Sequence, residues 1–203
     1  LGLHGVIGKH LSSIELECVG GCDLERVGNT LRTLGADPAV GAVVLHINSP
    51  GGTITGVPEF SKEVADLDVL KPVYAYSDEL MCSAGYWIGC SARGVFASES
   101  ADVGSIGVYM ALMDQTRALS DAGIDVRLVR AGRLKGVGLP GTWTDEVEEY
   151  LQARVDFTYE AFTSWVRKNR GQIDDETMQG QVFDAYRAMP AGLIDGIINR
   201  VED

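Results

Sequence analysis

The stretch AVVLHINSPGG, residues 42–52, contains the pattern on which the fold prediction rests. Residues 42–48 form a short, largely apolar run, which is typical of a strand buried inside a sheet. The SPGG sequence ends that run, because proline followed by two glycines favours a turn. The segment therefore predicts a buried strand that leads directly into a glycine turn.

Strand-like and helix-like segments alternate along the chain, which favours an α/β architecture. Asp23 is placed to cap one helix, and Pro58 lies near the first turn of another. The longest predicted helix carries one apolar stripe, which packs either in the core or against a partner subunit. Helices are predicted after Asp23, from about Val57, after Ser83, around residues 114–122 and from Thr144 to Gly171, and further strands at residues 71–76, 94–98, 103–111 and 124–131.

Length and charge narrow the class of protein. The 203 residues fit a single domain, 1–203, with a substantial core. The formal net charge of −12 gives an acidic surface that repels phosphate backbones and anionic lipids, so we expect no nucleic-acid partner. No apolar run approaches the ~20 residues of a membrane span. Because the sequence opens on Leu1, we expect that an N-terminal piece has been trimmed, and an upstream leader or anchor stays open.

The four cysteines do not form the dense pattern of a disulfide scaffold. Cys18 and Cys22 are close in sequence, but no histidine or second cysteine pair completes a zinc site. Together with Cys82 and Cys90 they are predicted to be reduced, buried thiols of a cytosol-like compartment. No metal site and no cofactor are predicted.

Ser83, in the stretch MCSAGYWIGC, has two interpretations. It either caps a buried helix or acts as a nucleophile at the start of that helix, where the helix dipole favours a developing alkoxide. Ala84 and Gly85 would then let a substrate backbone approach closely. Gly51 and Gly52 could turn their N–H groups outward and form an oxyanion hole, although Pro-Gly-Gly is also an ordinary turn.

A serine nucleophile needs a base, and the sequence offers few. His46 lies inside a predicted strand, where a structural role is favoured, and no acidic residue is obviously placed to orient it. Lys135 lies in the glycine-rich loop AGRLKGVGLPG and is either a solvated lysine or, if buried, an uncharged base. Ser105, in VGSIGV, could hydrogen-bond such an amine or satisfy a strand end.

Five motifs occur in one order: HINSPGG, MCSAGYW, VGSIGV, RAGRLKGVG and VFDAYRAMPAGLIDG. In that order they resemble the signal peptide peptidase A and phage capsid-assembly protease family, from about Ala42 to the end of the chain. The resemblance implies an α/β fold of the Clp protease/crotonase type, a repeated ββα superhelix with a long helix in the C-terminal half.

The same resemblance implies a Ser–Lys dyad, with Ser83 as nucleophile and Lys135 as general base. Ser105 matches the hydroxyl that hydrogen-bonds the lysine, and Gly51 and Gly52 match the oxyanion-hole turn. This chain has Ala84 where the family has the first glycine after the nucleophile, and the extra methyl group slightly narrows access to the scissile bond.

The implied function is a serine endopeptidase, most similar to phage or prophage capsid-assembly proteases that cleave scaffold and capsid proteins. A signal-peptide-degrading peptidase of the bacterial envelope is the alternative, and a non-proteolytic acyl-CoA enzyme or scaffold protein is the alternative of another class. The resemblance implies protein or peptide substrates and a homo-oligomeric ring. The expected location is the host cytoplasm or procapsid, or a membrane if an upstream anchor was removed.

Overall fold

The computed structural model describes residues 1–17 and 20–200. The chain forms two compact units. The core unit comprises Leu1–Gly107 and Phe162–Asp203, and the second unit comprises Val108–Ala161. Cys18 lies outside the described residues, whereas the remaining cysteines are buried free thiols, as predicted.

The described part of the chain contains ten short strands and seven α-helices. The strands are β1 (Gly2–His4), β2 (Val6–Gly8), β3 (Gly21–Asp23), β4 (Val43–Asn48), β5 (Val73–Ser77), β6 (Leu80–Cys82), β7 (Gly94–Ala97), β8 (Asp102–Gly104), β9 (Val182–Asp184) and β10 (Gly196–Ile197). The helices are α1 (Ser13–Glu17), α2 (Leu24–Ala36), α3 (Val57–Leu70), α4 (Ala84–Gly89), α5 (Thr116–Asp121), α6 (Asp145–Arg170) and α7 (Ala185–Ala188), with a 3₁₀ turn at Asp175–Met178.

The core unit is built on a five-stranded parallel sheet in the order β1-β4-β5-β7-β10. Two smaller sheets accompany it, one of β2 and β3 and one in the order β6-β8-β9. A main-sheet strand, a small-sheet strand and a helix follow one another in β5-β6-α4. The predicted α/β class, with its repeated ββα pattern, is therefore confirmed.

One face of the main sheet forms the hydrophobic core. Side chains of β4 alternate, with Leu45 and Ile47 fully buried and His46 and Asn48 on the half-buried opposite face. Helices α2, α3 and α4 contribute to the same core as the buried side of the sheet. The predicted cap of α2 is present, because the Asp23 carboxylate accepts the Glu25 N–H at 2.8 Å.

Two predicted strands do not form as expected. The strand predicted at 103–111 is shortened to β8, and no strand is assigned over 124–131. The reason is a missing neighbour: residues 108–114 and 125–131 form no backbone–backbone hydrogen bond with any described residue. Their composition suits a strand, but a strand also needs a paired edge.

The long helix predicted after Thr144 is confirmed as α6. The Thr144 hydroxyl accepts the Val147 N–H at 3.3 Å, and acidic and basic residues occupy the first and last turns, as the helix dipole favours. Within the core unit, Phe162 stacks on Trp87 of α4 at 4.4 Å between ring centroids, so this part of the stripe is core. Neither α6 nor another helix among the described residues is both long and apolar enough to cross a membrane.

Candidate active site

Three serines that follow strand ends lie along one edge of the core unit. Ser49 follows β4, Ser83 follows β6 and Ser105 follows β8. The Ser49 carbonyl accepts the Cys82 N–H at 3.1 Å, and the Ser83 N–H donates to the Gly104 carbonyl at 2.8 Å. The chain segments carrying the three serines are therefore hydrogen-bonded neighbours, at the strand ends where α/β proteins place their sites.

Ser83 has a strained backbone. Its φ of 51° and ψ of −121° lie in a region that residues other than glycine rarely adopt. It occupies the N-cap position of α4, yet its side chain makes no capping hydrogen bond, so the helix-cap interpretation is not supported. Because α4 has only six residues, its dipole adds little, and the sharp strand-to-helix turn is what presents the hydroxyl.

Gly51 lies directly against Ser83. A Cβ atom at Gly51 would lie 2.6 Å from the Ser83 Cβ and 2.9 Å from its Oγ, closer than side chains pack. Gly51 also has a φ of 107°, which favours glycine. The glycine turn that follows β4 therefore borders the serine hydroxyl.

The two glycines of this turn are not equivalent as oxyanion donors. The Gly51 N–H already donates to the Ser49 hydroxyl at 3.1 Å, and the Gly51 carbonyl accepts the Ile7 N–H at 2.8 Å. In a trans peptide the N–H points opposite to the C=O, so the Gly52 N–H points away from Ile7. Neither the Gly52 nor the Ala84 N–H has a partner among the described residues. The uncommitted donors in these two turns are therefore the N–H groups of Gly52 and Ala84, and the sequence analysis did not consider the N–H of Ala84.

Ala84 and Gly85, predicted to let a substrate approach, are both buried. A Cβ at Gly85 would lie 3.3 Å from the Ser49 Cβ, so Gly85 allows α4 to pack on the segment after β4. Burial raises the pKa of the neighbouring Cys82 thiol to about 11. That thiol stays protonated at neutral pH and does not compete with Ser83 as nucleophile.

Ser105 shares the positive φ of Ser83 and, like it, directly follows a strand end. It is half-buried, has a φ of 51° and donates its N–H to the Gln181 carbonyl at 2.7 Å. Because β6 and β8 pair in register, the two serines follow neighbouring strand ends. A hydrogen bond from Ser105 to a lysine amine stays a prediction.

Lys135 belongs to the second unit. It lies in a turn, where its N–H donates to the Gly132 carbonyl at 3.0 Å and its carbonyl accepts from the Arg130 guanidinium at 3.2 Å. Its side chain is exposed to solvent. The role of Lys135 as the general base therefore stays a prediction.

His46 does have an acidic partner, which corrects the expectation from sequence. Its Nε2 lies 2.7 Å from the Asp78 carboxylate, 32 residues away, and this hydrogen bond lowers the pKa of Asp78. His46 also stacks on Tyr76 and contacts the ring of His4 edge-on. It lies on the sheet face opposite Ile47, whose side chain approaches α4, so the structural role of His46 is favoured.

The sequence matches known proteins along most of its length. The model of Peptidase family S49 matches residues 65–202. A protein of Methanocaldococcus jannaschii, provisionally named as a protease, is 34% identical over 173 residues, which cover 83% of this chain and 56% of that protein. Capsid assembly protease C of Escherichia phage lambda is 31% identical over 176 residues, which cover 85% of this chain and 40% of that protein. An Enterococcus faecium protein provisionally named signal peptide peptidase SppA is 31% identical over 172 residues, which cover 82% of this chain and 50% of that protein. The chain thus spans about half the length of these curated relatives.

Gly52→Ala tests the packing of the glycine turn. A Cβ at Gly52 would lie 2.0 Å from the Ile7 carbonyl oxygen, so one of the two backbone segments has to move. We expect the free energy of unfolding in urea to fall by at least about 2 kcal/mol. Gly28→Ala in α2 is the matched control, because its Cβ meets only the flexible Arg32 guanidinium and a helical alanine is favourable. Equal stability of the two variants would contradict this packing.

Proposed function

Since the chain belongs to peptidase family S49, as its motifs predicted, we propose that it acts as a serine endopeptidase with a Ser–Lys dyad. The observation that carries the proposal is the geometry around Ser83. Ser83 lies in a strained strand-to-helix turn, its hydroxyl makes no capping hydrogen bond to the helix, and Gly51 lies against it. Two N–H groups without described partners, those of Gly52 and Ala84, belong to the same turns. This combination suits acyl transfer.

In the proposed mechanism the Ser83 Oγ attacks the scissile carbonyl while its proton passes to the uncharged Lys135 amine. The N–H groups of Gly52 and Ala84 donate to the oxyanion, and each such donor typically lowers the barrier by ~3–4 kcal/mol. The Lys135 ammonium then protonates the leaving amine as the C–N bond breaks. Water, deprotonated by Lys135, attacks the acyl-enzyme ester, and the Lys135 ammonium returns the proton to the Ser83 oxygen as the C–O bond breaks and the acid is released.

Lysine acts as a base only when its amine is uncharged, which requires removal from water. Lys135 is exposed in the described structure, so the proposed mechanism needs something to cover it. A bound substrate or a second copy of the chain would do so. Ser105, which follows β8 next to the end of β6, is proposed to orient the amine.

We propose that the chain assembles as a homo-oligomer, as the family resemblance implies. Residues 108–114 and 125–131 have strand-like composition but form no backbone–backbone hydrogen bond with described residues. Their large apolar side chains are exposed, including Tyr109 at 88% and Val129 at 98%. Exposed apolar segments with free backbone groups favour pairing with another chain. The same segments flank the loop of Lys135, which supports a site completed on assembly.

The proposed substrates are proteins or peptides, and the proposed role is cleavage of scaffold and capsid proteins in the host cytoplasm or procapsid. The similarity to the capsid assembly protease of phage lambda supports this role. A signal-peptide-degrading role is the second candidate, because the Enterococcus faecium relative with that provisional name is equally identical. An acyl-CoA enzyme is disfavoured, because the formal charge of −12 opposes CoA phosphates.

Ser83→Ala and Lys135→Ala test the dyad. Each variant should fold normally and lose at least about a thousandfold in peptide hydrolysis. Lys135→Arg should be equally inactive, because a guanidinium keeps its charge and cannot accept the proton. Hydrolysis of a fluorogenic peptide library and labelling by a fluorophosphonate give the readout, with Lys62→Ala on α3 as the control. An unlabelled Ser83 in the wild type would instead favour a non-catalytic scaffold.

Separate incubations with a phage scaffold protein and with a signal peptide distinguish the two roles. The capsid-assembly role predicts faster cleavage of the scaffold protein, measured by mass spectrometry of the products, with the Ser83→Ala variant as the blank. Preferential cleavage of the signal peptide would overturn that role and leave the endopeptidase assignment intact.

Val129→Lys tests the assembly. A charge in the middle of residues 125–131 should shift the oligomer towards monomer and lower peptidase activity in parallel, because strand pairing would bury this position. Light scattering after size-exclusion chromatography measures the mass. Val69→Lys is the matched control, since Val69 is 84% exposed at the end of α3. A monomeric wild type with full activity would contradict the proposal.

A further inference from the structure

Ser49 is fully buried, and its hydroxyl both donates and accepts a hydrogen bond. The hydroxyl donates to the Gly5 carbonyl at 2.7 Å and accepts the Gly51 N–H at 3.1 Å. A buried serine with two such bonds has little freedom to rotate. Its side chain therefore fixes the direction of the Gly51 N–H.

The Ser49 backbone is held as firmly as its side chain. The N–H donates to the Leu80 carbonyl at 2.8 Å, and the carbonyl accepts the Cys82 N–H at 3.1 Å. These bonds attach Ser49 to β6, the strand that ends immediately before Ser83. Ser49 is thus the residue that joins the glycine turn to the nucleophile-bearing segment.

We propose that Ser49 is a positioning residue for the oxyanion hole, an inference that rests on the proposed peptidase function. Its hydroxyl holds the Gly51 N–H, and the Ile7 N–H holds the Gly51 carbonyl. These two anchors fix the peptide planes on both sides of Gly51. The Gly52 N–H is thereby kept away from internal partners and free to donate to the oxyanion. Without the hydroxyl, the buried Gly51 N–H loses its acceptor and the turn can rotate to find another.

Ser49→Ala tests this inference through steps that depend on the transition state. The oxyanion forms only after attack, so kcat should fall about 10- to 100-fold while KM stays within about 3-fold. The inhibition constant of a peptide aldehyde, whose hemiacetal oxygen would enter the hole, should rise by the same factor as kcat falls. Ser98→Ala is the matched control, because Ser98 is another buried serine, bonded to the Asp78 carbonyl at 3.2 Å.

A merely structural role for Ser49 would lower the melting temperature and the active fraction but leave kcat per active site and aldehyde affinity unchanged. Active-site titration with a fluorophosphonate supplies the active fraction. If Ser49→Ala does not fold, Ser49→Cys replaces it, because the thiol fills the site but is a weak acceptor, and the same direction is expected.

Two controls separate this inference from the proposed function. Wild-type hydrolysis and its loss in Ser83→Ala establish the peptidase. If both hold and Ser49→Ala keeps kcat and aldehyde affinity within about 2-fold of the wild type, the Ser49 inference alone is overturned. Deuterium exchange of the Gly51 N–H needs no catalysis: it should accelerate at least about tenfold in Ser49→Ala and not in Ser98→Ala, and unchanged exchange also overturns the inference.

Discussion

The backbone of Ser83 lies in a conformation that an L-residue adopts only when its surroundings enforce it. Nearby backbone hydrogen bonds hold it there: the Ser83 N–H donates to the Gly104 carbonyl, and β6, the strand before Ser83, pairs with β8. On the other side, Ser83 lies so close to Gly51 that the glycine turn has no room for a side chain at that position. The site therefore depends on backbone pairing between short strands, and the hydrogen bonds of Ser49 with Leu80 and Cys82 join β6 to the end of β4 in the main sheet.

The two halves of the proposed dyad place opposite demands on the chain. The serine requires a fixed, strained turn within the core unit, which the structure provides. The lysine requires a dry environment, yet Lys135 lies exposed in a turn of the second unit. The neighbouring segments with free backbone groups give a physical reason to propose assembly as the step that supplies this environment. A base that becomes uncharged only on assembly would keep the isolated chain inactive.

Local signals made much of this fold predictable. The cap at Asp23, the apolar run before SPGG and the stripe of α6 each reflect interactions between near neighbours in sequence, and the ordered motifs indicated the S49 family with its Clp protease/crotonase-like fold. Long-range pairing was not predictable. Nothing near His46 identifies Asp78 as its partner, and the composition of residues 124–131 does not reveal the lack of a neighbouring strand. The commitment of the Gly51 N–H to Ser49 likewise depends on a rotamer and a buried environment that motifs do not encode.

The positive φ of Ser83 also has an evolutionary consequence. Glycine adopts this backbone geometry without the ~1–3 kcal/mol of strain that serine carries. The greater flexibility of glycine in the unfolded state lowers the stability of the fold by at most about 1 kcal/mol. A descendant with glycine at this position would thus be at least as stable as its active ancestor. Natural selection for peptide cleavage, rather than for a durable fold, is what keeps a hydroxyl there. Catalytically silent descendants of this lineage could arise by a single substitution and persist without any compensating change.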